Sequence, residues 1–165
     1  MPSEQTPAEP RERRHDLYLD ELKVGDRFES GGYTVTESDI IDFALRYDPQ
    51  PFHLDVEGAK ATPFQGLVAS GFHTLAIGFR VLYATGWLTS ANLGGIGIDE
   101  LRWLKPVRPG DTLRSTTIIQ EITPSKSKPD RGVLKHDVIV TNQRGETVLT
   151  GTFVVIVRRR RDSAP

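Results

Sequence analysis

The apolar segment from Gly66 to Tyr83 constrains the fold more than any other part of the chain. Hydrophobic side chains recur through it and leave little room for a polar face, at Leu67, Val68, Phe72, Leu75, Ala76, Phe79 and Leu82. A helix that is hydrophobic all round is buried in a core or spans a membrane. His73 and Arg80 make this segment too polar to span a bilayer. We therefore predict a buried helix that the rest of the domain covers.

Four strands are predicted after this helix, at about residues 93–105, 111–122, 134–142 and 147–157. The run from Gln143 to Glu146 is typical of a tight hairpin turn between the last two. Before the helix, residues 27–35 predict a first strand or a small hairpin, and Thr36 is expected to cap a helix that ends at Tyr47. Together these elements predict an α+β fold, a single domain in which an antiparallel β-sheet lies against one long central helix.

The two ends of the chain are predicted to lie outside this domain. Residues 1–16 and 158–165 are rich in charge, which favours disorder, and they leave a domain of residues 17–157. Lysine and arginine together number 21 against 22 acidic residues, so no overall positive field favours nucleic acid as a partner. The N-terminal residues include no apolar signal region, and we expect a cytoplasmic protein with no membrane partner.

A metal site is not expected from the composition. The chain has no cysteine, which excludes disulfides and thiol nucleophiles. Its four histidines are His15, His53, His73 and His136, and no two of them are four residues apart. The sequence therefore lacks the spacing of the common zinc motifs.

The segment from Tyr47 to His53 carries the clearest chemical signal. Pro49 and Pro51 predict a stiff turn that cannot be regular helix. Such a turn would hold the Asp48 carboxylate and the His53 imidazole in a set relation, where both could contact one water molecule. A carboxylate and an imidazole in that arrangement suit general acid–base catalysis. The alternative is structural, with Asp48 capping a turn and His53 partly exposed.

Three segments in order make the chain resemble the MaoC-like dehydratases, the (R)-specific enoyl-CoA hydratases of the hot-dog fold. They are Asp48-Pro49-Gln50-Pro51-Phe52-His53, then Ala69-Ser70-Gly71-Phe72, then the strand and turn of residues 101–111. The resemblance extends over residues 24–157. It implies a sheet wrapped around the central helix, and a homodimer or larger oligomer with two sites at or near the interface.

The resemblance also implies a chemistry. It implies that Asp48 and His53 are the catalytic pair that binds and activates water, and that the substrate is an acyl-CoA thioester. No separate cofactor is expected, because coenzyme A is part of that substrate. Gly71 is the candidate for the oxyanion hole through its backbone N–H, since a helix N-terminus offers free donors. The alternative for Gly71 is close packing of helix against sheet.

Further residues are candidates for substrate binding, and each has a structural alternative. Gln50 contacts the thioester or anchors the turn, and Ser70 bonds near the site or caps the helix. His73 contacts substrate or is a buried, hydrogen-bonded neutral histidine, and Phe72 lines an acyl pocket or belongs to the core. Cations of the loop after the second long strand contact coenzyme A phosphates or are simply solvated: Lys126, Lys128 and Arg131.

Three functional hypotheses remain open at this point. The first is a lyase that hydrates or dehydrates an acyl-CoA. The second is a thioesterase, against which the absence of Asp and Glu between residues 66 and 83 argues. The third is an acyl-CoA-binding module without activity, which Gln50 and Ser70 keep open as departures from the family pattern. The sequence does not encode the acyl group, the choice between coenzyme A and acyl carrier protein, or the direction of the reaction.

Overall fold

The structure, a computed structural model, describes residues 15–160. Its helices are α1 (Glu37–Tyr47), α2 (Pro51–Leu54) and α3 (Gly71–Tyr83). Its strands are β1 (Arg27–Glu29), β2 (Tyr33–Thr34), β3 (Asn92–Trp103), β4 (Thr112–Pro124), β5 (Arg131–Thr141) and β6 (Thr147–Arg158). They form an antiparallel sheet in the order β1-β4-β5-β6-β3, and β2 also pairs with β4. The α+β architecture expected from the sequence is confirmed.

Helix α3 lies on one face of this sheet. Buried and half-buried residues alternate along β5, as expected for a strand with one face toward a core. The buried face of β5 includes Leu134, His136, Val138 and Val140. Gly78 of α3 sits directly over this face, since a Cβ atom built there would lie 2.7 Å from Cγ2 of Val140. The helix therefore approaches the sheet as closely as a glycine allows.

Two expectations about the central helix are wrong. The helix begins at Gly71 and not at Gly66, and Ser70 is its N-cap. This start agrees with the one that the family resemblance implies for residues 69–72. The stretch of residues 67–70 is buried but not helical. The helix is also not covered all round in the single chain, where Phe72 is 62% exposed and Phe79 is 42% exposed. The sheet covers only one side of a helix, and no other element of the described chain covers this apolar face.

The segments before α3 differ from expectation in two further ways. The predicted cap of α1 is confirmed, since Thr36 Oγ1 accepts from the backbone N–H of Asp39 at 3.1 Å. The prolines do not exclude helix, however, because Pro51 is the first residue of α2. Proline is tolerated there, where no intrahelical donor is needed. Strands β1 and β2 both pair with β4 and not with each other, so they form no hairpin.

Strand β3 is the long open edge of the sheet. It has 12 residues and pairs only with β6, whereas the opposite edge strand β1 has three. Between Asp99 and Arg102 the strand advances three residues while β6 advances two, from Thr152 to Thr150. This is a β-bulge, and Glu100 within it has a φ of 52°. The bulge changes the direction in which the last residues of β3 present their side chains.

The described chain extends further at both ends than the predicted domain. Asp16 accepts hydrogen bonds from Ser90, and Arg158 is the last residue of β6. Arg159 and Arg160 form ion pairs with Asp20 and Glu21 respectively. The remaining residues predicted as disordered tails, 1–14 and 161–165, lie outside the described part of the chain. No helix within residues 15–160 is long and apolar enough to cross a membrane.

Candidate active site

Asp48 and His53 face each other at the junction of two helices. Asp48 ends α1, where its backbone N–H bonds to the Ala44 carbonyl at 3.0 Å. His53 lies in α2, five residues on, and is 5% exposed. Its Nε2 atom is 3.4 Å from Oδ2 of Asp48. The short connection through two prolines therefore brings together the two groups that the sequence singled out.

The tautomer of His53 follows from its second contact. Nδ1 lies 2.7 Å from the backbone carbonyl oxygen of Val68. A carbonyl only accepts hydrogen bonds, so Nδ1 carries a proton and donates it. In the neutral ring, Nε2 then has a free lone pair and is the atom near Asp48. Two acceptors that lie 3.4 Å apart need a proton or a donor molecule between them.

The Asp48 carboxylate accepts hydrogen bonds from two other side chains. Ser70 Oγ donates to Oδ2 at 2.7 Å, and Gln50 Nε2 donates to Oδ1 at 2.8 Å. These bonds, first that of Ser70 and then that of Gln50, hold the pKa of Asp48 below its ordinary value, and the charge of His53 adds to the effect. Desolvation opposes them but is the weaker influence. Asp48 is therefore ionised at neutral pH.

Ser70 links the carboxylate to the start of α3. Its Oγ atom donates to Asp48 and also accepts from the backbone N–H of Phe72 at 3.2 Å, as an N-cap does. Ser70 itself is fully buried. Both alternatives considered for this residue are thus realised at once, because one hydroxyl caps the helix and bonds at the site.

A pocket of about 510 Å³ opens beside these groups. Asp48, Gln50 and His53 lie in its wall together with Gly71 at the N-terminus of α3. Most of the remaining lining is apolar and comes from Phe52, Phe64, Val68, Ala69, Phe72, Trp103, Leu104, Pro106 and Val107. An apolar cavity with a few convergent polar groups is the usual form of a small-molecule site.

Trp103 explains why residue 71 is glycine. The indole lies over the first turn of α3, and its Nε1 donates to the Gly71 carbonyl at 2.8 Å. A Cβ atom at position 71 would lie 2.7 Å from Cε2 of the same ring, closer than carbon atoms approach. The packing alternative for Gly71 is therefore supported, although the partner is a side chain of β3 at the edge of the sheet.

His73 is not part of this group. It is buried against α1, where its ring stacks on Phe43 with centroids 4.6 Å apart. Burial lowers the pKa of His73, which favours a neutral ring. His73 does not line the pocket. The burial fits the structural alternative, but the expected hydrogen bond is not seen for Nδ1, which has no partner among the described residues. The arrangement does not support the expected contact with substrate.

The basic loop after β4 lies far from the pocket in the single chain. Lys126 and Lys128 follow the end of β4, whereas Val107 in the pocket wall precedes its beginning. A strand of 13 residues spans about 40 Å. The loop therefore does not meet a ligand of this pocket within one subunit. Among residues 15–160, no group of three or more potential metal ligands is present.

Several residues of the site escaped prediction, among them Val68, Thr74 and Trp103. Val68 acts through its carbonyl, so its side chain carries no signal of the role. Thr74 and Trp103 line the pocket, but nothing in their local sequence distinguishes them from core or surface residues. Trp103 lies in the segment of residues 101–111 that carried the resemblance. Its contact with Gly71 of α3 depends on how β3 pairs with β6, which the sequence does not reveal.

Comparison with known proteins shows which family has this architecture. The family described as the MaoC like domain matches residues 21–142. The chain belongs to this family. A MaoC-like dehydratase from Rhodospirillum rubrum has a crystal structure that matches with a TM-score of 0.83 and 46% identity, over 88% of this chain and 99% of that one. The hot-dog fold expected for a MaoC-like chain is confirmed by this likeness.

Relatives with named activities are more distant. An (R)-specific enoyl-CoA hydratase from Rhodospirillum rubrum is 30% identical over 116 residues, which cover 66% of this chain and 74% of the relative. An R-hydratase from Pseudomonas aeruginosa matches in structure with a TM-score of 0.68 and 25% identity, over 92% of this chain and 94% of that one. The MaoC-like family thus includes hydratases and dehydratases of acyl thioesters.

Proposed function

We propose that this MaoC-like protein is a hydro-lyase that adds water to, or removes it from, the Cα–Cβ bond of an acyl-CoA thioester, in the (R)-specific class. The observation that carries the proposal is the 3.4 Å approach of His53 Nε2 to Asp48 Oδ2 while Nδ1 is bound to Val68. Both facing atoms accept hydrogen bonds, so a water molecule that lies beside the pair, on the pocket side, can donate one hydrogen to each. That water is then oriented for attack.

The hydration step follows from these roles. His53 Nε2 takes one proton from the water as its oxygen bonds to Cβ. The electron pair of the double bond moves toward the thioester carbonyl and forms an enolate. The proton held between His53 and Asp48 then passes to Cα, which completes the addition of water. Dehydration is the same path reversed, and positioned acid–base groups contribute about 10²- to 10⁴-fold to such a reaction.

The enolate oxygen requires a donor, and we assign the backbone N–H of Gly71 to it. Within the described residues this N–H has no hydrogen-bond acceptor. It is the first N–H of a 13-residue helix, so the helix dipole also favours negative charge there. Loss of one such donor costs about 2.7 to 4 kcal/mol in other enzymes.

Hydration of crotonyl-CoA tests the proposal, because it removes the absorbance of the conjugated double bond. We expect wild-type protein to turn it over, and Asp48→Asn and His53→Gln each to lower kcat/KM by about 10²- to 10⁴-fold. Circular dichroism and thermal unfolding of each variant serve as the control for folding. Variants that fold and keep wild-type activity would exclude this pair as the catalytic groups.

The same assays address the two other hypotheses. Release of free thiol from a saturated acyl-CoA would indicate a thioesterase, and tight binding of acyl-CoA without turnover would indicate a binding module. Ser70 and Gln50, which kept the binding module open, both donate to Asp48 in the structure. They therefore support an ionised carboxylate suited to catalysis.

We also propose that the protein is a homodimer joined along β3. This strand exposes the unpaired backbone groups of a 12-residue edge together with Ile96 and Ile98, which are 60% and 38% exposed. Long open edges with apolar side chains are normally covered. Antiparallel pairing of two β3 strands would cover both edges with one twofold axis.

Light scattering during size-exclusion chromatography tests the dimer. We expect the mass of two chains for the wild type and of one chain for Ile96→Lys, since each edge would carry a charge. Glu57→Lys, on an exposed turn away from the edge, is the control for added charge. A wild type that runs as one chain at micromolar concentration would refute this interface.

A further inference from the structure

A series of hydrogen bonds leads from the last residue of β3 to the Asp48 carboxylate. Trp103 Nε1 donates to the Gly71 carbonyl at 2.8 Å. The backbone N–H of Phe72 donates to Ser70 Oγ at 3.2 Å, and that hydroxyl donates to Asp48 Oδ2 at 2.7 Å. Oδ2 is also the oxygen that faces the catalytic imidazole. The series therefore connects an edge strand of the sheet to the proposed catalytic pair.

One peptide group is the central link of this series. The carbonyl of Gly71 and the N–H of Phe72 belong to the same planar group. Its oxygen accepts from the indole, and its nitrogen donates to the Ser70 hydroxyl. A peptide group bonded at both ends cannot turn without losing one of the two bonds. The indole therefore helps to hold the donor that Ser70 bonds to.

The Trp103 ring is itself held in place against α3. A Cβ atom built at Gly71 would lie 2.7 Å from Cε2 and 2.8 Å from Nε1, so the ring sits directly on the glycine backbone. The Phe72 ring meets the indole edge to face, with centroids 5.9 Å apart. Donor and acceptor both belong to one chain, so the bond does not depend on what covers the open edge of β3.

The bonds of the series all have the same direction. The indole N–H is a donor only, and each later group accepts from one neighbour and donates toward Asp48. Hydrogen bonds arranged in this way polarise one another, with a strengthening of about 10 to 30% per bond. The indole therefore both orients the Ser70 hydroxyl and strengthens the bond that this hydroxyl gives to the carboxylate.

We propose that Trp103 is a positioning residue of the active site, which acts on Asp48 through the peptide group of residues 71–72 and through Ser70. The inference rests on the proposed function, in which Asp48 orients the attacking water. Trp103 contributes no atom to the reaction. The competing role is direct contact with substrate, since Trp103 also lines the pocket.

Trp103→Phe tests this role, because it keeps an aromatic ring beside Gly71 and removes the N–H donor. We expect kcat for crotonyl-CoA to fall about 2- to 10-fold, which corresponds to one hydrogen bond between uncharged groups. KM should stay within about two-fold of the wild type, because the lost bond is not to substrate. An unchanged kcat would overturn the proposal, and so would a raised KM with unchanged kcat.

Trp87→Phe is the matched control, since it is the same replacement at the only other tryptophan of the chain. Trp87 is buried and stacks on Phe28, and its Nε1 has no hydrogen-bond partner among the described residues. We expect this variant to lose stability but to keep the wild-type kcat. An equal fall of kcat in both folded variants would mean that lost packing is the cause, and would contradict a specific role for the Trp103 donor.

A double variant distinguishes action through Ser70 from an independent effect. Once the hydroxyl is absent, the indole has no path to the carboxylate, so Trp103→Phe should leave the kcat of Ser70→Ala unchanged. Residues that act through one network are non-additive in this way. A further fall by the same factor as in the wild-type background would show that Trp103 acts elsewhere, and would refute the proposal.

NMR of the indole protons tests the same series without turnover, and it stands even should Trp103→Phe fail to fold. The chain has two tryptophans, so Trp87→Phe alone assigns both indole signals. We expect Ser70→Ala to shift the Trp103 signal more than the Trp87 signal, because the bonds of the series are coupled. That shift without hydration of any enoyl-CoA would contradict the lyase and keep the series. Hydration with an unmoved Trp103 signal would contradict the role of Trp103 alone.

Discussion

Removal of the Ser70 hydroxyl should affect stability and chemistry together. In Ser70→Ala, the Phe72 N–H loses its cap, which costs about 0.5 to 2 kcal/mol. Asp48 loses its shortest hydrogen bond, and bonds to charged groups are worth about 1.5 to 3 kcal/mol. The carboxylate is 17% exposed, so water replaces part of that bond. We therefore expect a total loss of about 2 to 4 kcal/mol in the free energy of unfolding at pH 7.

Thr36→Ala is the matched control for this variant. Thr36 caps α1 with the same kind of bond, to the Asp39 N–H, but does not contact Asp48. Urea unfolding should show a loss of about 1 kcal/mol for this control. The excess loss of Ser70→Ala over Thr36→Ala measures the bond to the Asp48 carboxylate, since the cap is lost in both variants.

The pH dependence of that excess has a definite sign. The folded-state pKa of Asp48 lies below the ordinary value of 3.8, so its stabilising effect is complete above pH 3.8 and is lost as the pH falls through the lowered pKa. The excess should therefore shrink only in that acidic window. Equal losses in both variants, or an excess that persists in acid, would refute this account of Ser70.

Three further predictions concern other residues of the structure. His136 is fully buried, and desolvation lowers its pKa to about 4. The free energy of unfolding should therefore fall by about 3 kcal/mol as the pH drops from 6.5 toward 4. His136→Phe should remove this dependence of the melting temperature on pH. Gly78→Ala should cost about 1 to 3 kcal/mol in urea unfolding, because the new methyl group collides with Val140. Gln50→Ala should lower kcat/KM for crotonyl-CoA less than Ser70→Ala does, since Gln50 is exposed and water can replace its bond to Asp48.

Part of the candidate site could be predicted from residues that lie close together in the sequence. The cap formed by Thr36 and Asp39 depends on residues three apart, and the approach of Asp48 to His53 depends on residues five apart. Both relations are fixed by the chain within one or two turns. The start of α3 was misplaced because a short apolar run is equally compatible with buried helix and buried extended chain.

The contacts that the sequence did not reveal join segments far apart in the chain. Trp103 reaches Gly71 across 32 positions, and the Val68 carbonyl reaches His53 across 15. Such contacts depend on strand register and on a bulge, neither of which has a local signal here. The open face of α3 could not be foreseen either, because periodicity reports that a face is apolar and not which molecule covers it.

The anchor of the His53 ring has a consequence for attempts to re-engineer the protein. The acceptor for its Nδ1 proton is a main-chain oxygen, which every replacement of the Val68 side chain leaves in place. The carboxylate is held by two side-chain donors, and single codon changes can delete either of them. Laboratory selection for activity at a different pH should therefore accumulate mutations at Ser70 and Gln50, which bond to the Asp48 carboxylate. The hydrogen bond from His53 to the Val68 carbonyl should be retained.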